Sequence, residues 1–382
     1  IGLTWATGLP QAVWWFLVKT DAVRGDGTDA HPVDDSFKKA IGLPDSTKAT
    51  KREDRDGERH VEVEHEDATH DDVKKAAGKI EAKAHLPVGS VRWEPLVKAG
   101  QAIASGSKLI ISRGDRLADV GTWPGPDQPE AGIELPVRTG WAQDGKPSSW
   151  VLTPTDDFVG APALKSVGTS GAAKTAFQRN VLGTAVTRAG VVLWGADTRK
   201  AGQWVPFVRP ALDWFEDDLR GARAMLDALA AIVPERTQAI TDATGLDRWT
   251  PTAWTEHRIP FLLVWLAEAA PLMAPLEDEL KRGVEVWLSA GIKVVVELQR
   301  ASESNVDTDF RNLIPESMCF RVGVPVDATM ALEEDTLEAG AAPWSFSLEE
   351  PGMHYAEYVN EPRTRWATKR RTERPDPLAL LR

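Results

Sequence analysis

The sequence has little cysteine and no excess of positive charge. Cys319 is the single cysteine in 382 residues, which excludes an intramolecular disulfide framework and a CxxC-type metal site and is typical of a reducing cytoplasm. Lysine and arginine total 45 against 57 aspartate and glutamate residues, so the net charge is −12. This balance excludes a protein that coats nucleic acid over its whole surface, but it leaves local basic patches open.

The sequence also lacks an unbroken apolar run of membrane-spanning length and a small-residue signal-peptide cleavage site. The segment 1–18 is almost uncharged, but it contains Pro10 and Gln11 and falls short of the ~20 apolar residues of a spanning helix. Two interpretations stay open, an amphipathic or buried segment and a truncated membrane helix. Because the chain begins with Ile1 rather than methionine, we expect an excised fragment or a processed product.

Changes in composition divide the chain into five segments. The charged run 51–59 indicates exposed loops, and the Pro/Gly-rich run 121–132 indicates a domain boundary. The basic run 363–374 is typical of a disordered charged tail, with contact to DNA phosphates as the alternative. The predicted segments are a membrane-proximal remnant at 1–20, a linker or loops at 21–58, a small α+β domain at 59–120, the main domain at 121–355 and a basic tail at 356–382.

The small domain is predicted from one alternating segment, one capping signal and two further short strands at 91–94 and 108–112. The alternating residues 60–66 favour a half-buried strand, and Thr69 with Asp72 resembles the start of a helix over 71–84. Three histidines recur in this region at five-residue spacing, namely His60, His65 and His70. Because a strand followed by a turn does not place them on one face, we interpret them as solvated histidines rather than a metal site.

In the main domain, apolar strands alternate with helical segments. This order predicts an α/β fold with a parallel sheet covered by helices on both faces. The predicted elements are a loop at 166–173, a helix at 174–188, a strand at 190–196, a helix at about 216–233, a strand at 261–267, a helix at 276–289 and a strand at 292–298.

The loop before the first of these helices carries a phosphate-binding pattern. It matches the spacing GxxxxGK[ST], with Lys174 and Thr175 at the last two positions, but Ala173 replaces the final glycine. Such a loop holds phosphates with backbone N–H groups, while the lysine reaches the terminal phosphates and the threonine binds Mg²⁺. A β-carbon at residue 173 opposes close phosphate approach, so we expect weakened or lost nucleotide binding. The predicted nucleotide-binding residues are Gly168, Thr169, Ser170, Gly171, Ala172, Ala173, Lys174 and Thr175.

Two later strands end in polar residues that suit the same chemistry. The apolar strand 261–267 is followed by Glu268, as in a Walker B strand, but Ala267 stands where a first acidic residue is expected. We therefore expect Glu268 to activate the attacking water. The strand within 294–300 brings Gln299 to its end, where it can sense the γ-phosphate or simply face solvent. An apolar strand that ends in a polar residue is common in α/β cores. The presence of Lys174 and Thr175 earlier in the chain favours a nucleotide-binding role for these two strand ends.

Several separated stretches together resemble the FtsK/SpoIIIE superfamily of hexameric double-stranded-DNA translocases, and more closely the actinobacterial plasmid-transfer proteins of the TraB type. The stretches are GTSGAAKT at 168–175, VVLWGADTRK at 191–200, ARAMLDALAAIVPERTQAI at 222–240, IPFLLVWLAEAAPLM at 259–273, SAGIKVVVELQRAS at 289–302 and TDFRNLIPESMCFRVGVPVDATMAL at 308–332.

The resemblance implies a RecA-like P-loop motor that uses ATP and Mg²⁺ to move double-stranded DNA, in the TraB case during conjugation. It further implies a homo-oligomer, a hexameric ring, in the cytoplasm at the inner face of the cell membrane, with 1–18 as the remainder of an N-terminal anchor. The family roles carried over are phosphate binding for Lys174, Mg²⁺ binding for Thr175, hydrolysis for Glu268, γ-phosphate sensing for Gln299, and contact with a neighbouring subunit's nucleotide for Arg311 and Arg321.

Ala173 and Ala267 depart from the family pattern in both nucleotide motifs. Two interpretations of these departures stay open. The chain is either a motor that hydrolyses ATP slowly, or an inactive motor that is engineered or degenerate. The alternatives are a DNA-binding or assembly module that keeps the fold without hydrolysis, and a soluble metabolic P-loop enzyme without a role on DNA.

Overall fold

The computed structural model divides into two compact units, residues 1–118 and 119–382. The described residues are 31–32, 43, 45–55, 58–66, 68–69, 72–73, 75–84, 86, 90–98, 101–112, 117–155, 159–199, 209–299 and 313–376.

The described residues of the first unit form a five-stranded sheet and the helix Ala77–Ala84. The sheet order is β1-β2-β3-β5-β4, and every pair in it is antiparallel. One face buries Val63, Ile80 and Leu109 with other apolar side chains in a single cluster. The elements are β1 (His31–Pro32), β2 (Lys48–Arg55), β3 (Glu58–Glu64), α1 (Ala77–Ala84), β4 (Val91–Lys98) and β5 (Gln101–Ser112).

Two local predictions in this unit have different outcomes. Thr69 donates to the Asp72 carboxylate through its backbone N–H, at 3.1 Å, and its hydroxyl, at 2.7 Å, and the first of these is one of the two bonds of a capping box. The charged run 51–59 was expected in loops, but its described residues belong to β2 and β3, which pair from Lys48 with Glu64 to Arg55 with Glu58. Backbone pairing outweighs the low strand propensity of charged residues here.

The second unit is built on a ten-stranded sheet of order β10-β9-β11-β12-β8-β13-β14-β15-β6-β7. The first six strands in this order, from β10 through β13, pair in parallel. Each of the other four, β14, β15, β6 and β7, pairs antiparallel with the strand before it. This confirms the predicted α/β class. The strands are β6 (Val137–Ala142), β7 (Pro147–Trp150), β8 (Ala163–Val167), β9 (Val191–Asp197), β10 (Trp214–Glu216), β11 (Phe261–Ala267), β12 (Ile292–Leu298), β13 (Glu316–Phe320), β14 (Met353–Glu357) and β15 (Arg370–Arg371).

The central strands β11 and β12 are buried at every residue, as expected for parallel strands covered on both faces. The helix after β8 packs on the sheet through Phe177, whose ring lies 5.9 Å from that of Trp265. The α-helices with described bounds in this unit are α2 (Lys174–Ala185), α3 (Leu219–Thr244), α4 (Pro251–Thr255), α5 (Ala270–Trp287), α6 (Pro325–Thr329) and α7 (Glu334–Glu338).

The predicted helix at 216–233 is too short, because α3 continues through Pro234 to Thr244. An interior proline costs about 3 kcal/mol or more. Burial of Ile240 and two bonds from Arg236, to the Ala290 carbonyl at 2.9 Å and the Pro260 carbonyl at 2.6 Å, hold the second half of the helix in place.

The predicted disordered tail is wrong for its described part, because β14 and β15 complete the sheet. The side chain of Arg370 is buried, forms an ion pair with Glu361 and lies 5.4 Å from the Tyr358 ring centre. Arg365 pairs with Asp144 at 2.9 Å. Since carboxylates inside the fold neutralise these arginines, much of the run 363–374 is structural and not a free basic surface.

Across the residues that the structure describes, no helix combines the length and apolarity needed to cross a bilayer. The predicted membrane-proximal segment 1–20 lies outside those residues.

Candidate functional site

The candidate site lies where neighbouring parallel strands end. Because β9, β11, β12 and β8 are adjacent and parallel, their carboxyl ends meet at one edge of the sheet. Ligands of open α/β sheets bind at this edge. The predicted phosphate loop follows β8, Glu268 follows β11 and Gln299 follows β12. Tertiary structure therefore brings the three predicted motifs together.

The loop after β8 turns directly into α2. The Gly168 N–H donates to the Leu298 carbonyl at 3.1 Å, which fixes the loop to the end of β12. A β-carbon on Gly168 would lie 2.7 Å from that of Phe320, so packing requires glycine there. Ser170 and Gly171 are exposed beyond it. The first N–H groups of a helix have no partner within the helix, so the start of α2 offers donors to an anion.

Ala173 has φ 72° and ψ 26°, in the left-handed region. Glycine enters this region freely, whereas a residue with a β-carbon pays roughly 1–2 kcal/mol. The backbone therefore keeps the conformation that a glycine would favour, although the residue is alanine. The expectation that this β-carbon weakens phosphate binding stays a prediction.

Lys174 and Thr175 open α2 and differ in exposure. The Lys174 side chain is buried, and its ammonium donates to the Gly168 carbonyl at 2.5 Å. Thr175 is exposed in the first turn. The lysine thus spans the loop from end to start, and the threonine hydroxyl is accessible to a ligand outside it.

Arg321 lies against the phosphate loop of its own chain. Its backbone carbonyl accepts from the Thr169 N–H at 2.9 Å, and its guanidinium donates to the Thr169 hydroxyl at 3.2 Å and the Phe346 carbonyl at 3.1 Å. These contacts link the loop to the segment after β13. A role on a neighbouring subunit's nucleotide remains a prediction for Arg321, and Arg311 lies outside the described residues.

Glu268 and Gln299 form a direct pair. The Gln299 amide donates to a Glu268 carboxylate oxygen at 2.7 Å. Glu268 is buried and has φ 47°, so the chain turns sharply just as it leaves β11. A glutamate held by a hydrogen bond next to a phosphate loop has the geometry of a general base or a water-positioning group.

Two further buried acids lie at the same edge, and the sequence analysis missed both. Asp197 ends β9 beside Ala267, and Glu297 precedes Gln299 by two residues on β12. Burial raises the pKa of Glu297, and Glu268 and Asp197 add to the rise, while Lys174 and a bond from Trp265 oppose it. An acid at the carboxyl end of an apolar strand was the signal used for Glu268, and it would have found these two as well.

Metal binding was predicted through Thr175. Within the described part of the chain, no group of three or more histidine, cysteine or acidic side chains is arranged to hold a metal ion. Mg²⁺ that arrives with a nucleotide needs only one or two carboxylates, since phosphates and water complete its shell. His65, one of the three histidines, is buried and contacts the Ala68 carbonyl at 2.7 Å and the Ser107 hydroxyl at 3.2 Å. The interpretation as a solvated histidine is therefore wrong for His65, which has a structural role.

No protein-family model and no curated protein matches this sequence. Solved structures match its fold. The pCW3 conjugation coupling protein TcpA, in a monomer form with ATPγS, aligns with TM-score 0.51 and 11% identity over 88% of this chain and 92% of TcpA. The cytoplasmic domain of the Thermomonospora curvata type VII secretion ATPase EccC aligns with TM-score 0.51 and 16% identity over 67% of this chain.

A third similar structure is EssC (ATPases 2 and 3) from Geobacillus thermodenitrificans, with TM-score 0.50 and 14% identity over 67% of this chain. The matched regions span 30% of the EccC chain and 48% of the EssC chain. At these identities the likeness concerns the fold. The chain has the α/β fold of P-loop ATPase motor domains, with its candidate nucleotide site at the carboxyl edge of the parallel strands.

Proposed function

We propose that the chain is an ATPase motor subunit of the FtsK/SpoIIIE type that moves double-stranded DNA in TraB-like plasmid transfer. The convergence of the loop 168–175 with the Glu268–Gln299 pair at one sheet edge carries this proposal. A loop before a helix supplies phosphate donors, and the pair supplies a positioned carboxylate. Together they suit hydrolysis of a nucleoside triphosphate.

The residues present fit a nucleotide with Mg²⁺. Lys174 is poised to exchange its bond with the Gly168 carbonyl for one with phosphate oxygens, and the exposed Thr175 hydroxyl can bind the metal. Bound Mg²⁺ would neutralise charge on the phosphates. Glu268 takes the proton of the attacking water, and Gln299 orients Glu268. These assignments follow the family resemblance and the geometry together.

The DNA substrate and the ring are proposed on the family resemblance and on the fold shared with a conjugation coupling protein. The same reasoning supports a homo-oligomer, a hexamer, and membrane association through residues before the described part. The motor domain is expected to be active on the cytoplasmic side of the membrane.

DNA-stimulated ATP hydrolysis tests the proposal. The chain should hydrolyse ATP with Mg²⁺, faster with duplex DNA, and Lys174→Ala should lose nucleotide binding. Lys146→Ala is the matched control, because Lys146 is an exposed lysine near the start of β7. Absence of nucleotide binding by the unchanged chain would contradict the proposal.

A second candidate function is a DNA-binding or assembly module with the same fold and no hydrolysis. Ala173 and Ala267 favour it, because they remove a glycine and a carboxylate from the two nucleotide motifs. Nucleotide binding and duplex binding without any turnover would support this module. Turnover that Glu268→Gln abolishes would exclude it.

A further inference from the structure

Ala267 places a methyl group where the site should have a carboxylate, and acids flank it on both neighbouring strands. On β9, Asp197 is in register with Ala267. On β12, the register pairs Leu266 with Val296, so the next residue, Glu297, lies across from Ala267. Residues in register on parallel strands point to the same face. The methyl group of Ala267 therefore shares one face of the sheet with the carboxylates of Asp197 and Glu297.

Glu297 is the acid of this pair that lies on the strand next to β8, which leads into the predicted phosphate loop. It is buried, its carboxylate accepts from the Trp265 indole N–H at 3.3 Å, and it is attracted by the Lys174 ammonium. The indole bond sets the direction of the carboxylate.

A third polar side chain on this face has no partner among the described residues. Ser166 is in register with Glu297 on β8, so both point to the same face. Its hydroxyl is fully buried and makes no hydrogen bond. An unsatisfied buried hydroxyl costs free energy, so its presence beside a buried acid indicates a place built for a polar ligand or its water.

Strand order separates Glu297 from Asp197. β12 is adjacent to β8, about 4.8 Å away, whereas β9 lies three strand spacings from β8, roughly 14 Å. Asp197 also accepts from the Arg199 N–H at 3.0 Å, which directs it toward its own loop. Glu297 is one strand closer to the phosphate loop than Ala267 itself.

We propose that Glu297 supplies the metal-directed carboxylate that position 267 lacks, holding Mg²⁺ or its water ligands beside Thr175 when a nucleotide is bound. This inference rests on the proposed nucleotide-binding function. The carboxylate has moved from β11 to the neighbouring strand β12 and keeps the same face. One carboxylate with a threonine hydroxyl, phosphates and water is a sufficient set for Mg²⁺.

Nucleotide affinity with and without Mg²⁺ tests this assignment independently of turnover. The dissociation constant of a fluorescent ATP analogue is measured in excess EDTA and in excess Mg²⁺, and Mn²⁺ binding in the presence of ADP is followed by the loss of its free electron paramagnetic resonance signal. Glu297→Gln should leave affinity in EDTA unchanged and weaken metal-dependent affinity about 10- to 100-fold. The substitution preserves the contact with Trp265, because an amide oxygen can still accept from the indole N–H.

Moving the carboxylate back provides the second variant. In Ala267→Asp combined with Glu297→Gln, the metal dependence should return toward that of the unchanged chain. Asp197→Asn is the matched control, because it removes a buried acid from the same face but two strands farther from the loop than Glu297. It should keep the metal dependence.

The outcomes separate this inference from the proposed function. Nucleotide binding that shows equal Mg²⁺ dependence in the unchanged chain and in Glu297→Gln overturns the assignment while the ATPase proposal stands. Loss of metal dependence in Asp197→Asn alone also overturns it and transfers the role to Asp197. No nucleotide binding by the unchanged chain, with or without metal, overturns the proposed function itself.

Discussion

The side-chain amide of Gln299 donates a 2.7 Å hydrogen bond to the carboxylate of Glu268. The two residues are 31 positions apart in sequence and meet because they follow adjacent parallel strands. Glu268 leaves its strand at a positive φ, and the hydrogen bond from Gln299 holds its carboxylate there. Gln299 is therefore a positioning residue for the proposed base.

Replacing Gln299 with leucine should slow ATP hydrolysis about 100-fold, because loss of orientation near the reacting atoms has effects of this size. Nucleotide binding should change little. Gln238→Leu is the control, since Gln238 makes a similar 2.7 Å bond to Asp242 on the exposed face of α3. Steady-state hydrolysis and nucleotide affinity are measured for both variants. Equal turnover in the two would remove Gln299 from the mechanism.

Ala173→Gly should raise the free energy of unfolding by about 0.5–1 kcal/mol. Relief of the left-handed conformation contributes roughly 1–2 kcal/mol, and the greater freedom of glycine in the unfolded chain offsets about 0.4–1 kcal/mol. Gly171→Ala is the mirror control, because Gly171 has φ +80° with nothing within 4 Å of an added β-carbon, and it should destabilise. Chemical denaturation gives both values. Destabilisation by Ala173→Gly would contradict this account.

Lys293→Met should lower the free energy of unfolding by about 3–5 kcal/mol, because it leaves a buried carboxylate without its counter-charge. The Lys293 ammonium lies 2.6 Å from Glu316, and both side chains are fully buried. Adding Glu316→Gln should recover part of the loss, since the amide oxygen still accepts from Trp150. A double-mutant cycle by denaturation measures the coupling.

The exposed ion pair between Arg223 and Glu279 provides the control for that cycle. Arg223 lies 3.0 Å from Glu279, but the arginine side chain is half exposed. Solvent screening keeps such pairs within about 1 kcal/mol, so Arg223→Met should have a small effect. If Lys293→Met lowers the free energy of unfolding no more than Arg223→Met does, the pair of Lys293 and Glu316 is not required for stability.

His354 should make the second unit less stable in mild acid. Burial is the main cause that lowers the pKa of His354 from 6.5 to about 3, with Arg370 adding to it. Below about pH 6.5 the His354 side chain is therefore protonated in the unfolded chain but stays neutral in the folded chain. The stability from neutral His354 is full above pH 6.5 and is lost as pH falls toward 3, by about 1.4 kcal/mol per unit.

The variant His354→Asn tests this pH dependence, because its amide can replace the ring nitrogen that lies 2.9 Å from the Gly352 carbonyl. The difference in unfolding free energy between the unchanged chain and the variant should change by about 2 kcal/mol between pH 6.5 and pH 5. His257→Asn, at an exposed histidine, is the matched control. Parallel pH profiles for the unchanged chain and His354→Asn would contradict the prediction.

Several elements could be predicted from the sequence because their signals are local. The apolar runs of β11 and β12 were predicted with the bounds that the structure shows, 261–267 and 292–298. A continuous apolar run bounded by turns needs no distant partner to be recognised as a buried strand. The start of α2 at Lys174 follows from the glycine-rich loop before it in the same way.

Elements that depend on distant contacts were missed or misplaced. The second half of α3 depends on bonds from Arg236 to residues beyond the helix, and β15 depends on pairing with β14 and β6. The basic run that contains Arg370 has the composition of a tail. Backbone pairing of Arg370 with His354 and Ala142 makes it part of the sheet, and Glu361 neutralises its side chain. Composition carries no information on which acid will lie beside which arginine.

The sequence alone determined the class of fold, the predicted phosphate loop around Lys174 and the two departures from the expected motifs, because residue type and local spacing carry these. Only the tertiary structure decided that Gln299 holds Glu268 and that Glu297 lies across from Ala267. The physical reason is strand pairing. Register between strands that are distant in sequence decides which side chains share a face, and the chemistry of the site depends on those neighbours.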